Sequence, residues 1–120
     1  MSLQDRPTAV ELLDAVAGFI EQDVAPGLDA RLRFHARVAV NVLRILRREW
    51  ELGPGQREEQ RALLAGLLGH DGEPGELWAE LAGAIRAGAL DGRRADVVAA
   101  LREITAQKLA IANPGYTEGA

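Results

Sequence analysis

The stretch that decides the fold is RLRFHARVAVNVLRILRREW, residues 31–50. It holds no proline or glycine, and at 3.6 residues per turn its side chains sort onto two faces. Phe34, Val38, Ala39, Val42, Ile45 and Leu46 fall together, while Arg33, Arg37, Arg44 and Arg48 fall on the other side, close to one line. His35 does not join the arginines and lands among Val42, Leu46 and Ala39. The pattern predicts a core helix with a histidine in its buried face and arginines on its exposed face.

Working outward, the five prolines at 7, 26, 54, 74 and 114 sit where helices should begin or end. Helix 1 is expected over Ala9–Asp23, with Thr8-Ala-Val-Glu11 as a capping box and Leu12, Leu13, Val16, Phe19 and Ile20 as its inward face. Asp29 should cap helix 2, which runs to Leu52. Gly53-Pro54-Gly55 reads as a break. Helix 3 then covers Gln56–Leu68 on a stripe of Leu63, Leu64, Leu67 and Leu68. Helix 4 covers Glu76–Ala87 through Leu77, Trp78, Leu81, Ala84 and Ile85. Helix 5 covers Arg93–Ala112 and buries Val97, Val98, Leu101, Ile104 and Leu109. Tyr116 to Ala120 reads as a tail. No alternating strand pattern and no internal repeat is visible. Short loops favour antiparallel neighbours, so the expected architecture is all-α: one domain over 1–120, an up-and-down bundle of four to five antiparallel helices.

Composition narrows the function. Apolar residues make up 48% of the 120 and aromatics 4%, so the core must be aliphatic and closely packed. A net charge of −4 argues against nucleic acid, which needs a basic surface. The absence of cysteine removes disulfides and thiolate metal sites. No segment approaches the roughly 20 apolar residues of a membrane helix, and the N-terminus lacks a signal-peptide pattern. The expectation is a cytoplasmic protein without membrane association.

Catalytic chemistry finds few candidates. The two histidines, His35 and His70, have no ligand partner at i+3 or i+4 on a buried face, so no metal site and no cofactor is expected. Ser2 and Thr117 lie near the ends, Thr8 is better used as a cap, and Thr105 stands alone. The glycine-proline turns lack the strand and lysine of a phosphate loop. What remains is a set of ionisable residues on faces expected to be buried: His35, Lys108 between Leu101, Ile104 and Val97, Asp23 in line with Val16 and Ile20, and Arg31 one turn before His35. Unpaired buried charges are costly. Two readings stay open. Asp23 and Arg31 can close a local salt bridge, Lys108 can snorkel, and His35 can bond a backbone carbonyl. Alternatively, Asp23, Arg31, His35 and Lys108 line a small polar pocket, with Asn41 and Thr105 nearby. The stripe Arg33, Arg37, Arg44 and Arg48 is either a solvated face or a docking face for an acidic partner or a nucleotide phosphate.

Three segments carry a resemblance: RPTAVELL at 6–13, RLRFHARVAVN at 31–41 and KLAIANPGY at 108–116. Together they resemble an uncharacterised bacterial domain-of-unknown-function family, with the Arg-Phe-His-Ala-Arg run as the most specific part. The resemblance implies a context beside, or fused to, phosphotransferases of the aminoglycoside-kinase type, with acyl-CoA dehydrogenases as neighbours. It brings no catalytic residues. The expected function is therefore a non-catalytic accessory module that docks on such a kinase or dehydrogenase. The alternative is a small-molecule-binding bundle with its pocket at His35 and Lys108. A second copy of the chain is a further candidate partner.

Overall fold

The computed structural model describes residues 6–118. It is 86% helical, with no strand among the described residues. Five α-helices follow in order: α1 (Ala9–Gly18), α2 (Ala30–Leu68), α3 (Pro74–Arg86), α4 (Arg94–Ala112) and α5 (Pro114–Glu118). A π-helical turn, Phe19–Val24, and a 3-10 turn, Ala25–Gly27, carry the chain from α1 towards α2, and a second 3-10 turn, Asp91–Arg93, precedes α4. Ser2 and the side chain of Thr117 lie outside the described residues, as does the end of the expected tail, which is helical over its described part.

Local chemistry accounts for the helix starts. Thr8 accepts from Glu11 N at 3.2 Å while Thr8 N donates to Glu11 Oε1 at 3.3 Å, so the capping box forms as its spacing predicts. The same bonds hold the Glu11 carboxyl below its ordinary range. Asp29 Oδ1 accepts from Leu32 N at 2.9 Å and caps α2. Pro74 starts α3 at a position where its missing N–H is not needed. Gly69 and Gly88 adopt φ of 82° and 77°, the left-handed conformation that ends a helix.

The boundary at Pro54 departs furthest from the sequence reading. Helices 2 and 3 are a single helix of 39 residues that continues through Pro54. Proline has no N–H to give the Trp50 carbonyl and its ring crowds that carbonyl, a local cost of about 3 kcal/mol. A long helix tolerates this because the hydrogen bonds on either side are unaffected. The proline still marks a boundary: the chain divides into two compact units, Met1–Gly53 and Pro54–Ala120.

In the second unit, Leu64 and Leu67 of α2, Leu77 and Leu81 of α3, and Val97, Ala100 and Ile104 of α4 form one cluster, flanked by Leu63, Leu68, Trp78, Leu90 and Leu101. Leu64, Leu77, Leu81 and Ile104 are completely enclosed. The inward stripe of α4 is Val97, Ala100, Ile104, Gln107 and Ile111, so Gln107 rather than Lys108 faces the core and Val98 is exposed. Gln107 is satisfied there. Its backbone carbonyl accepts from Gln56 Nε2 at 3.0 Å, its side-chain oxygen accepts from Gln60 Nε2 at 3.2 Å, and its amide donates to Glu59. Arg93 donates to the Leu67 carbonyl at 2.9 Å, satisfying an end carbonyl of α2.

In the first unit, the buried apolar residues are Ala17, Ala25, Ala36 and Val40, all small. The face of α2 turned inward is thus the edge carrying Ala36 and Val40. Phe34, Val38, Val42 and Leu46, expected in the core, are about half exposed, as are Leu12, Val16 and Phe19 of the first helical segment. Ile45 is only partly covered.

The Gln107 network gives a direct test. Gln107→Ala removes the buried amide and leaves its partners to rebond to water, and should cost about 1–3 kcal/mol in urea denaturation. Gln107→Glu sets a second carboxylate against Glu59. Its deficit relative to the parent should shrink as pH falls into the carboxylate range, because protonation removes the repulsion.

Candidate functional site

The arginine side of α2 shapes a groove in the first unit. Glu21 from the π turn and Ala25 and Pro26 from the 3-10 turn form one wall; Arg33, Ala36, Arg37, Val40, Asn41 and Arg44 of α2 form the other. The groove has a volume of about 650 Å³ and opens to solvent. Ala25, Ala36 and Val40 make its floor apolar, and three guanidinium groups stand over it against one carboxylate.

Each arginine is placed differently. Arg33 donates to the carbonyls of Leu28, at 2.9 Å, and Ala25, at 3.4 Å, which fixes the turn against the start of α2. Arg44 pairs with Glu21 at 3.0 Å. Arg37 makes no hydrogen bond or ion pair among the described residues, which leaves its five donors available. Asn41 adds an amide between Arg37 and Arg44 on the same wall. The π turn matters here, because the sequence reading carries a regular helix to Asp23 and gives Glu21 and Pro26 no common wall. Such turns recur at functional sites.

Next to the groove, Arg47 bridges Asp14, at 2.8 Å, and Glu51, at 2.9 Å. The bond to Asp14 comes first among the causes that raise its basicity. Arg48 lines a shallow depression with Asp14, Arg44 and Arg47. The stripe Arg33, Arg37, Arg44 and Arg48 therefore exists as expected, three of its members lining one groove and the fourth lying beside it.

The other sequence candidates are placed otherwise. Asp23, Arg31, His35 and Lys108 are all exposed, so the premise that they are buried ionisable groups is corrected. For His35 the reason is the rotation of α2, which turns Ala36 and Val40 inward and leaves the histidine outside, edge-on to Phe34 at 5.7 Å between ring centroids. For Lys108 it is the stripe of α4, which passes through Gln107 instead. Lys108 Nζ lies 5.5 Å from the Trp78 ring centroid, a cation–π contact at the surface. Thr105 is exposed on α4. Asp23, Arg31, His35 and Asn41 belong to the first unit and Lys108 to the second. Of that set, Asn41 alone lines the groove. Among the described residues, no group of three or more His, Asp or Glu side chains could hold a metal ion. No helix there is long and apolar enough to cross a membrane.

Sequence reasoning missed Gln107 and the loop between α2 and α3. There His70 Nε2 meets the Glu80 carboxylate at 2.7 Å and Nδ1 meets the Asp71 carbonyl at 3.0 Å. Arg61 binds both Glu58 and Asp71, tying the loop to α2. Asp71 is held below the ordinary carboxylate range, first by the Gly72 N–H and then by Arg61. The Asp71 carbonyl, with Glu80 next, raises the His70 pKa. The signal for Gln107 was its i+3 spacing from Ile104. Nothing in the sequence places His70 beside Glu80.

Among known proteins, a family profile described as a domain of unknown function (DUF6285) matches residues 26–116. No curated protein matches the chain, and neither does any solved structure. The chain belongs to the DUF6285 family, and the match covers α2, α3, α4 and the start of α5, with Pro26 and the α2 wall of the groove.

The His70 clasp yields a pH prediction. With its pKa raised on folding, His70 contributes stability that is fully present below the unfolded value near 6.5 and is lost as pH rises through the folded value. An NMR titration should place the His70 midpoint above 6.5, and Glu80→Gln should lower it.

Proposed function

We propose that this DUF6285 member is a non-catalytic accessory module that engages an anionic group through the arginine groove of its first unit. The observation that carries the reading is the convergence of Arg33, Arg37 and Arg44 over an apolar-floored groove, with the Arg37 guanidinium unengaged. Guanidinium groups suit phosphate and carboxylate because their forked donors match two oxygens at once. Arg33 and Arg44 are held by the turn and by Glu21, so the wall is ordered before a ligand arrives. An incoming anion can take Arg44 in exchange for Glu21 and meet Arg37 directly.

The resemblance to domains that accompany phosphotransferase-like kinases and acyl-CoA dehydrogenases supports a setting in which the anion belongs to such a protein partner or to a phosphate-bearing ligand it handles. The groove supplies binding and orientation. It offers no nucleophile paired with a base, which favours a docking role over a catalytic one.

Two probes test this: coenzyme A, which carries phosphate groups, and inorganic pyrophosphate. In a two-dimensional NMR titration, either should shift amides of residues 21–44 and leave those of α3 and α4 in place. Arg37→Gln should weaken binding roughly 10-fold or more, the scale of a lost hydrogen bond to a charged group. Binding should fall further as salt is raised. Absence of shifts at millimolar concentrations of both probes, or shifts unaffected by Arg37→Gln, contradicts an anion site in the groove.

A further inference from the structure

The groove of the first unit is tied at both ends and open between them. At one end Arg33 donates through Nε and one Nη to the carbonyls of Ala25 and Leu28. At the other, Arg44 pairs with Glu21 at 3.0 Å. From Arg33 to Arg44 the helix advances about 16 Å, at roughly 1.5 Å per residue. Between these ties Arg37 and Asn41 stand one turn apart, and neither side chain has a hydrogen-bond or ion-pair partner among the described residues. Ala36 and Val40, each one residue earlier, form a second row beside them and are buried at the floor with Ala25. Pro26 adds an apolar ring to the facing wall.

Charge and shape together limit what this space accepts. Three guanidinium groups against the one Glu21 carboxylate leave an excess of two positive charges. A phosphate monoester carries about −1.5 to −2 at pH 7 and balances it. The Arg37 fork matches two phosphate oxygens and the Asn41 amide can donate to a third, whereas a carboxylate offers only two. A second anionic group reaching towards Arg44 would meet Glu21, a like charge, on the facing wall. A bare anion also leaves the floor unused. Ala25, Ala36 and Val40 stay against water unless an apolar body lies over them. The groove, at about 650 Å³, has the size of a small-molecule cleft and far exceeds a phosphate ion.

We propose that the groove takes an amphipathic phosphate monoester: one phosphate head bound by Arg37 and Asn41, joined to an uncharged apolar body lying over Ala36, Val40 and Pro26. This rests on the anion-site reading given above and adds a selectivity to it. The apolar body contributes affinity that a more highly charged anion without one does not recover. Glu21 sets the limit on charge, because by holding Arg44 it keeps the groove from acting as a cradle for polyanions.

The test is an NMR titration of the full chain, at fixed ionic strength, with methyl, butyl and hexyl phosphate, hexanoate and pyrophosphate. Each methylene removed from water is worth roughly fourfold in affinity, and an open groove covers only part of a chain. Hexyl phosphate should therefore bind roughly 10-fold or more tighter than methyl phosphate, with butyl phosphate between them. It should also bind tighter than hexanoate and than pyrophosphate. Val40→Thr keeps the shape of the floor and makes it polar. It should cut the advantage of the hexyl chain by about threefold or more while methyl phosphate stays within about twofold. Pro26→Ser, at an exposed position, gives the same reading if Val40→Thr loses helicity by circular dichroism. Equal affinities along the alkyl series, all weakened by Arg37→Gln, overturn this inference and leave the plain anion site standing. Tighter binding of pyrophosphate or hexanoate than of hexyl phosphate also overturns it. Hexyl phosphate binding that ignores Arg37→Gln, or no binding by any probe, overturns both readings.

Discussion

The burial of small side chains alone, from α1, the turn after it and α2, is the constraint on which the first unit depends. Ala17 and Ala25 on one side and Ala36 and Val40 on the other are the buried apolar side chains of this unit, and all are small. With Ala36 and Val40 turned inward, the rotation of α2 is set. The arginines come to one flank, where Glu21 and Asp14 meet them, and the phenylalanine, valine and leucine row comes to the other. Four small buried side chains contribute little, on the order of 1 kcal/mol per buried methyl group or two. The exposed ion pairs beside them add at most about 1 kcal/mol each. The unit therefore gains geometry from this burial more than it gains stability, and its apolar flank remains available for further burial.

The second unit is built on the opposite principle. Leucines from α2 and α3 and β-branched residues from α4 fill one core, and removing any of the enclosed ones should cost about 2–5 kcal/mol. Its polar centre, Gln107, is hydrogen-bonded from two residues of α2 and donates to a third. Such a network specifies one register of α4 on α2, because a slip of one residue would bury Lys108 without a partner. The clasps at His70 and Arg61 then fix the loop that lets α3 fold back.

Much of this was legible in the sequence where the signal is local. The Thr8 capping box, the Asp29 cap, the Leu64–Leu67 and Leu77–Leu81 pairs and the Val97–Ile104 stripe all follow from spacing alone. The arginine stripe was legible too, as a line on one helix. What the sequence hid was which neighbouring surface α2 turns towards. A wheel shows an apolar arc but not whether the partner takes its middle or its edge, and here alanines at the edge took the contact. His35 and Lys108 were misplaced for that reason. Pro54 read as a loop because proline usually ends a helix, and the cost of keeping one inside is invisible in a single sequence. The π turn gives no periodic signal, yet it brings Glu21 and Pro26 to the groove.

The orientation of α2 is therefore the central claim, and the absence of native cysteine makes it directly measurable. Single cysteines placed by Ala36→Cys, Val38→Cys, Val40→Cys and Val42→Cys can be labelled with a thiol reagent at concentrations dilute enough to keep chains apart. Cysteines at 38 and 42 should react at rates near those of an unfolded control, and those at 36 and 40 at least 10-fold more slowly, with circular dichroism confirming that each variant is helical. The reverse order, fast at 36 and 40 and slow at 38 and 42, would mean that α2 buries its phenylalanine–valine row and would contradict both the groove and the apolar flank.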